Sequence, residues 1–136
     1  MPSEQDTRDF PPDDSYVLRR IPPDRFVFDH RIGRVRPQSD TFDDDDDSPC
    51  SIVIGEILRQ QGRGEMEVLA GHEGYLLVRV KVSEVRRQNL SIEPFPTPEE
   101  PAHGYLVGTK TGGRKKALAR AAEWVVPPPE FKNPSE

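Results

Sequence analysis

Apolar positions along the chain fall into short runs separated by proline, glycine and charge. Residues 16–21 (YVLRRI) form the first run and predict a strand. Pro22-Pro23 stop it, because proline has no N–H to give to a ladder. Residues 25–28 (RFVF) alternate with period two and predict a second extended piece, with Pro-Pro-Asp as the turn between them. In residues 51–61 (SIVIGEILRQQ), Ile52, Ile54, Ile57 and Leu58 come close to helical spacing. Ser51 is a candidate N-cap and Gly62 a natural stop, so a helix is expected, although the isoleucine-valine start also suits a strand. Residues 66–70 (MEVLA) continue as a helical turn or a short strand, and 71–74 (GHEG) form a turn.

Residues 75–82 (YLLVRVKV) are the clearest strand, rich in branched residues and alternating in their second half. Residues 83–88 read as one helical turn capped by Ser83. The segment 89–101 holds four prolines and predicts an extended surface connection. Residues 102–107 then form a strand, 108–113 a glycine-rich turn, and 114–124 a helix. In that helix Ala117, Leu118, Ala121 and either Ala122 or Trp124 make the apolar stripe, and Trp124 anchors it in the core. These elements specify a small single-domain α+β fold, with a mainly antiparallel sheet of about four short strands and two or three helices.

Composition restricts where that domain lies. Apolar content of 33% and fifteen prolines are low for a packed chain, so the core is expected within residues 16–126. Residues 1–15 and 127–136 read as a disordered acidic tail and a disordered Pro-rich tail. The net charge of −5 is unevenly placed: residues 1–50 carry thirteen acids against seven arginines, and residues 51–136 eleven acids against twelve bases. An acidic balance disfavours general nucleic-acid binding, which depends on neutralising phosphates. One cysteine, Cys50, excludes an internal disulfide, and no apolar run approaches a membrane span. The expectation is a soluble cytoplasmic protein.

Three features carry candidate chemistry. The turn at Gly108, Lys110, Gly112, Gly113, Arg114 and Lys115 opens into a helix and is free of acids, an arrangement suited to an anion. It approaches the phosphate-loop pattern G-x-x-x-x-G-K-[ST] but has Arg114 where Lys is required and Lys115 where Ser or Thr is required, which excludes an NTPase of that class. A second basic stretch at residues 30–36 includes Arg31, Arg34 and Arg36, and is read as an anion-facing loop or as a solvated loop opposite the acidic run. Five consecutive aspartates at 43–47, within an exposed loop over 40–50, lack the alternation and the glycine of a calcium loop; they are candidates for shielding the loop at 31–36.

The three histidines, His30, His72 and His103, all lie near glycines or turns. His72 and His103 are candidate general acid/base residues. No HxH, HExxH or CxxC spacing supports a metal, and no cofactor motif is present. Cys50, beside Pro49 and the aspartates, has surroundings that raise a thiol pKa instead of activating it.

Four blocks, RPQS (36–39), LAGHEGY (69–75), EEPAHGYLVGTKT (99–111) and AAEWVVPP (121–128), resemble a set of small uncharacterised bacterial proteins. The resemblance implies a bacterial cytoplasmic protein and carries over no site residue. Three functional classes follow. One is a binding or accessory protein whose Gly/Lys turn, with His103 and Arg34 or Arg36, holds a phosphate-bearing ligand or partner. Another is a small enzyme using His72 or His103 with an arginine. The third is a protein-interaction module docking through its Pro-rich loop or a sheet edge.

Overall fold

A computed structural model describes residues 10–129; of the tails expected at 1–15 and 127–136, residues 1–9 and 130–136 lie outside it. Strand β1 (Tyr16–Ile21) is central, paired antiparallel with β4 (Cys50–Ile54) on one side and β5 (Leu76–Lys81) on the other. The hairpin β2 (Phe26–Asp29) and β3 (Arg34–Pro37) forms a separate two-stranded sheet. The main sheet extends through β7 (His103–Val107) to the edge strand β6 (Ser91–Pro94), and through β5 to the edge strand β8 (Glu123–Val126). Its order is β6-β7-β4-β1-β5-β8, with every pair antiparallel. Three helices accompany it: α1 (Gly55–Gln60), α2 (Val82–Arg87) and α3 (Gly112–Ala121). Two 3-10 turns lie at Ser39–Phe42 and Glu65–Leu69.

Several expectations are corrected. The main sheet has six strands, not about four. Residues 50–54 are a strand and not the start of a helix. Ile52 and Ile54 are buried on one face and Val53 on the other, and a strand buried on both faces loses the alternation that would identify it. The helix expected to reach Trp124 ends at Ala121; Ala122 is extended (φ −66°, ψ 141°) and Trp-Val-Val, with its high β-propensity, continues as β8. The Pro-rich connection contains β6, where Pro94 is tolerated because it ends an edge strand. Helix α2 begins one residue before Ser83, and no side chain caps it. Residues 10–15 pack onto the body: Phe10 touches the core and Arg86 pairs with Asp13 at 2.5 Å.

The two faces of the sheet are covered unequally. Alternation along β1 sends Val17, Arg19 and Ile21 to one face and Leu18 and Arg20 to the other. The first face is roofed by Phe42, Val82, Val85, Leu118, Ala119 and Ala122 from the 3-10 turn, α2 and α3. Over the second face Leu58 and Ile57 of α1, Val68 and Leu69 of the other 3-10 turn and Ala102 cover Leu18, Val53 and Leu77, a smaller cluster than on the first face. Cross-strand partners share a face, so Val53↔His103, Ser51↔Tyr105 and Glu93↔Tyr105 place Ser51, His103, Tyr105 and Glu93 on this half-covered side. Gly104 marks the tightest point between strands: a Cβ there would lie 2.7 Å from Ile54 Cδ1 and 2.8 Å from the Glu93 carbonyl.

Candidate functional site

In the basic stretch at 31–36, the side chains of Arg34 and Arg36 are engaged by the fold, while Arg31 is exposed and only its backbone N–H is bonded. Asp29 closes the β2–β3 hairpin: its backbone carbonyl accepts from the Gly33 N–H at 2.8 Å and its Oδ1 from the Arg31 N–H at 2.9 Å, with Gly33 at φ +70°. The Asp29 side chain is buried, and its Oδ2 accepts from Arg36 Nε at 2.6 Å and Arg120 Nε at 2.8 Å. Those two guanidiniums, Arg120 first, hold the Asp29 carboxyl well below the usual carboxylate range. Arg34 donates to the carbonyls of Arg120 (2.7 Å) and Ala122 (3.4 Å), so it satisfies acceptors left unpaired at the end of α3. Trp124 Nε1 donates to the Val35 carbonyl at 3.0 Å and completes the joint. Arg34 and Arg36 therefore fasten the hairpin to α3 instead of facing an anion.

The Gly/Lys turn lies at the other end of the same helix, about 15 Å away for ten residues. The two basic segments do not form one site. Lys110 folds back on its own turn. Its Nζ donates to the Leu106 carbonyl at 2.7 Å and the Gly108 carbonyl at 3.3 Å, and pairs with Asp44 Oδ1 at 2.6 Å. Lys115 pairs with Asp43, and Arg114 Nη1 donates to the Thr109 carbonyl at 2.8 Å. Thr111 caps α3 by accepting from the Arg114 N–H at 3.2 Å; Gly112 and Gly113 are exposed in its first turn. The aspartate run thus sits on residues 110–115, not on the 31–36 loop it was expected to shield. Asp44 also accepts from the Cys50 N–H at 3.1 Å, and Lys110 holds its carboxyl below the usual value.

His72 and His103 line cavities beside Arg20 on the second face, while His30 packs edge-on against Phe28 in the hairpin and Arg34 and Arg36 are bound at the end of α3 and at Asp29. Two arginines are there, Arg20 and Arg63, and Arg20 is the one without an ion pair among the described residues. It lines a cleft of about 500 Å³ together with His72, Glu67, Glu99 and Glu100, and also a pocket of about 30 Å³ with Ser51 and His103. Its Nη1 donates to the Val68 carbonyl at 2.9 Å, and among the described residues it makes no ion pair. Burial, and then the neighbouring Arg19 charge, lower its pKa, while Glu100 and Tyr75 oppose that shift. Arg63, by contrast, is spent: it holds Glu100 at 2.7 and 2.8 Å and Glu67 at 3.2 Å. His72 Nδ1 lies 3.2 Å from the Ala70 carbonyl, and its ring meets Tyr75 edge-on at 5.6 Å. His103 Nδ1 lies 2.7 Å from the Phe95 carbonyl.

A second cleft of about 440 Å³ runs beside Tyr16 and Gly55, but its arginines, Arg59 and Arg63, are paired with Glu56 and Glu100. Phe95 from the Pro-rich segment is 54% exposed and packs on Tyr105 at 5.0 Å. Among the described residues no three His, Cys, Asp or Glu side chains converge as a metal cage, and no helix is long and apolar enough to cross a membrane. Burial pushes the Cys50 thiol up to about 11. No protein-family model matches the chain, and neither does any curated protein or solved structure.

Arg20 was not among the residues singled out in the sequence, although it left a signal. Two adjacent arginines inside an apolar strand must point to opposite faces. Arg19 is accommodated by the carbonyls of Thr41 (2.9 Å) and Ser51 (2.6 Å), and Arg20 by only one carbonyl.

Proposed function

We propose that the protein is a small ligand-binding or accessory protein whose ligand places a negatively charged group on Arg20. The reading rests on one observation: a half-buried guanidinium with one hydrogen bond and no ion pair among the described residues borders two cavities, between His72 and His103. A partly desolvated cation is costly to leave uncompensated, and a carboxylate or phosphate oxygen supplies the missing acceptor in the geometry that guanidinium prefers. His72 lines the same cleft and can contribute a donor. The reading assigns no catalytic step. Calorimetric titration of the full chain with acetate and with phosphate at low salt is the test. Arg20→Gln should lower affinity at least tenfold, and added salt should weaken binding to the unsubstituted protein. Equal affinity in the two proteins would refute the reading.

A second reading keeps the ligand on the Gly/Lys turn. It is favoured by Asp43 and Asp44, whose carboxylates already rest on Lys115 and Lys110, so the turn accepts anions of its own chain. A phosphate-bearing ligand or partner would have to displace them. Asp43→Asn with Asp44→Asn should then raise phosphate affinity, and unchanged affinity would remove this reading.

A further inference from the structure

The charges lining the large cleft do not match a simple anion. Arg20 and Arg63 bring two positive charges, and Glu67, Glu99 and Glu100 bring three negative ones. Arg63 offsets one of the three carboxylates and is shared between Glu67 and Glu100. Arg63 is bound by both oxygens of Glu100 and by Glu67. Glu100 also accepts from the Ala102 N–H at 2.9 Å, and Glu67 from the Gly64 N–H at 3.5 Å. Two charged side chains make no ion pair or hydrogen bond to an opposite charge among the described residues: the Arg20 guanidinium, which feels Glu100 only at longer range, and the exposed Glu99 carboxylate. Val68 and Ala70 also line the cleft.

We infer that the ligand of this cleft is a zwitterion, a small molecule with a carboxylate for Arg20 and a protonated amine for Glu99, as in amino acids and short peptides. The inference rests on the Arg20 reading above and deepens it. A phosphate dianion would meet a cleft of net negative charge, whereas a neutral zwitterion meets a complementary charge at each end. The volume of about 500 Å³ lies in the range of small-molecule sites and holds a dipeptide.

The experiment compares alanyl-alanine, its N-acetyl form, its C-terminal amide and free alanine, by calorimetry on the full chain. Alanyl-alanine should bind at least tenfold more tightly than either blocked form. Glu99→Gln should reduce alanyl-alanine to the affinity of the N-acetyl form and leave the N-acetyl form unweakened. Arg20→Gln should abolish both. Free alanine binding as well as the dipeptide would assign the class to amino acids, and weaker binding would assign it to peptides; either supports the inference. If the N-acetyl form binds as tightly as the dipeptide and Glu99→Gln changes nothing, the zwitterion is wrong while an anion on Arg20 stands. If no compound shows Arg20-dependent binding, both fall. Urea midpoints of the two variants, expected to match the unsubstituted protein, separate lost binding from lost folding.

Discussion

Replacing Lys110 with methionine distinguishes a structural clamp from a ligand group. The Lys110 side chain is 4% exposed, so its ammonium depends on the protein for its partners. Methionine keeps the length of the stem and removes the charge. Hydrogen bonds involving a charged group contribute about 1.5–3 kcal/mol each. The Leu106 carbonyl loses such a bond, while the exposed Gly108 carbonyl can turn to water. The Asp44 side chain is 51% exposed, so its pairing adds under about 1 kcal/mol. Relief from burying an ammonium offsets part of the loss. The net destabilisation should be about 2 kcal/mol, or roughly 8 °C in Tm for a domain of this size. Urea unfolding followed by the fluorescence of the single tryptophan, Trp124, measures it. Lys115→Met, which removes a more exposed pair, is the control and should cost under about 1 kcal/mol. If Lys110→Met is as stable as the control and instead abolishes phosphate binding, Lys110 is a ligand group and the clamp is refuted.

Other consequences can be checked on the same material. Gly104→Ala drives a methyl group into the Glu93 backbone and Ile54, and should cost about 1–3 kcal/mol in urea unfolding, with amide exchange rising first along β6. Cys50, buried and with its pKa raised to about 11, should react with an aromatic disulfide reagent at pH 8 at least a hundredfold more slowly in the folded protein than in urea; equal rates would contradict its burial. Asp29 titrates below its unfolded value, so the stability it contributes is fully present above about pH 4 and is lost as pH falls from there. Asp29→Asn should therefore lower Tm at neutral pH, and its deficit should shrink steadily below about pH 4; a deficit independent of pH would contradict the Arg120–Asp29–Arg36 arrangement.

The parts of the fold legible in the sequence are those governed by local rules. β1 and β5 announced themselves by branched residues bounded by prolines or glycines, and the turn into α3 by its glycines. What was hidden depends on distant partners. Residues 50–54 are a strand because β1 and β7 flank them, and the buried run Ile52-Val53-Ile54 carries no period to reveal it. Helix α3 ends where Arg34, more than eighty residues upstream, satisfies its last carbonyls; no glycine marks that end. The same non-locality hides the partners of the basic residues. Lys110, Arg34 and Arg36 look free in a sequence because Asp44, Ala122 and Asp29 are not visibly beside them. Arg20 looks like an ordinary strand residue, because nothing local shows that only one side of the sheet is fully roofed.

The most direct measurement is a titration of the ¹⁵N-labelled full chain with acetate at low salt, following backbone amides and the arginine Nε–H signals. The account predicts that Arg20 Nε shifts together with the amides of residues 68–72, and that residues 109–115 stay still. Saturating shifts at 109–115 with Arg20 silent would contradict it and return the ligand to the Gly/Lys turn.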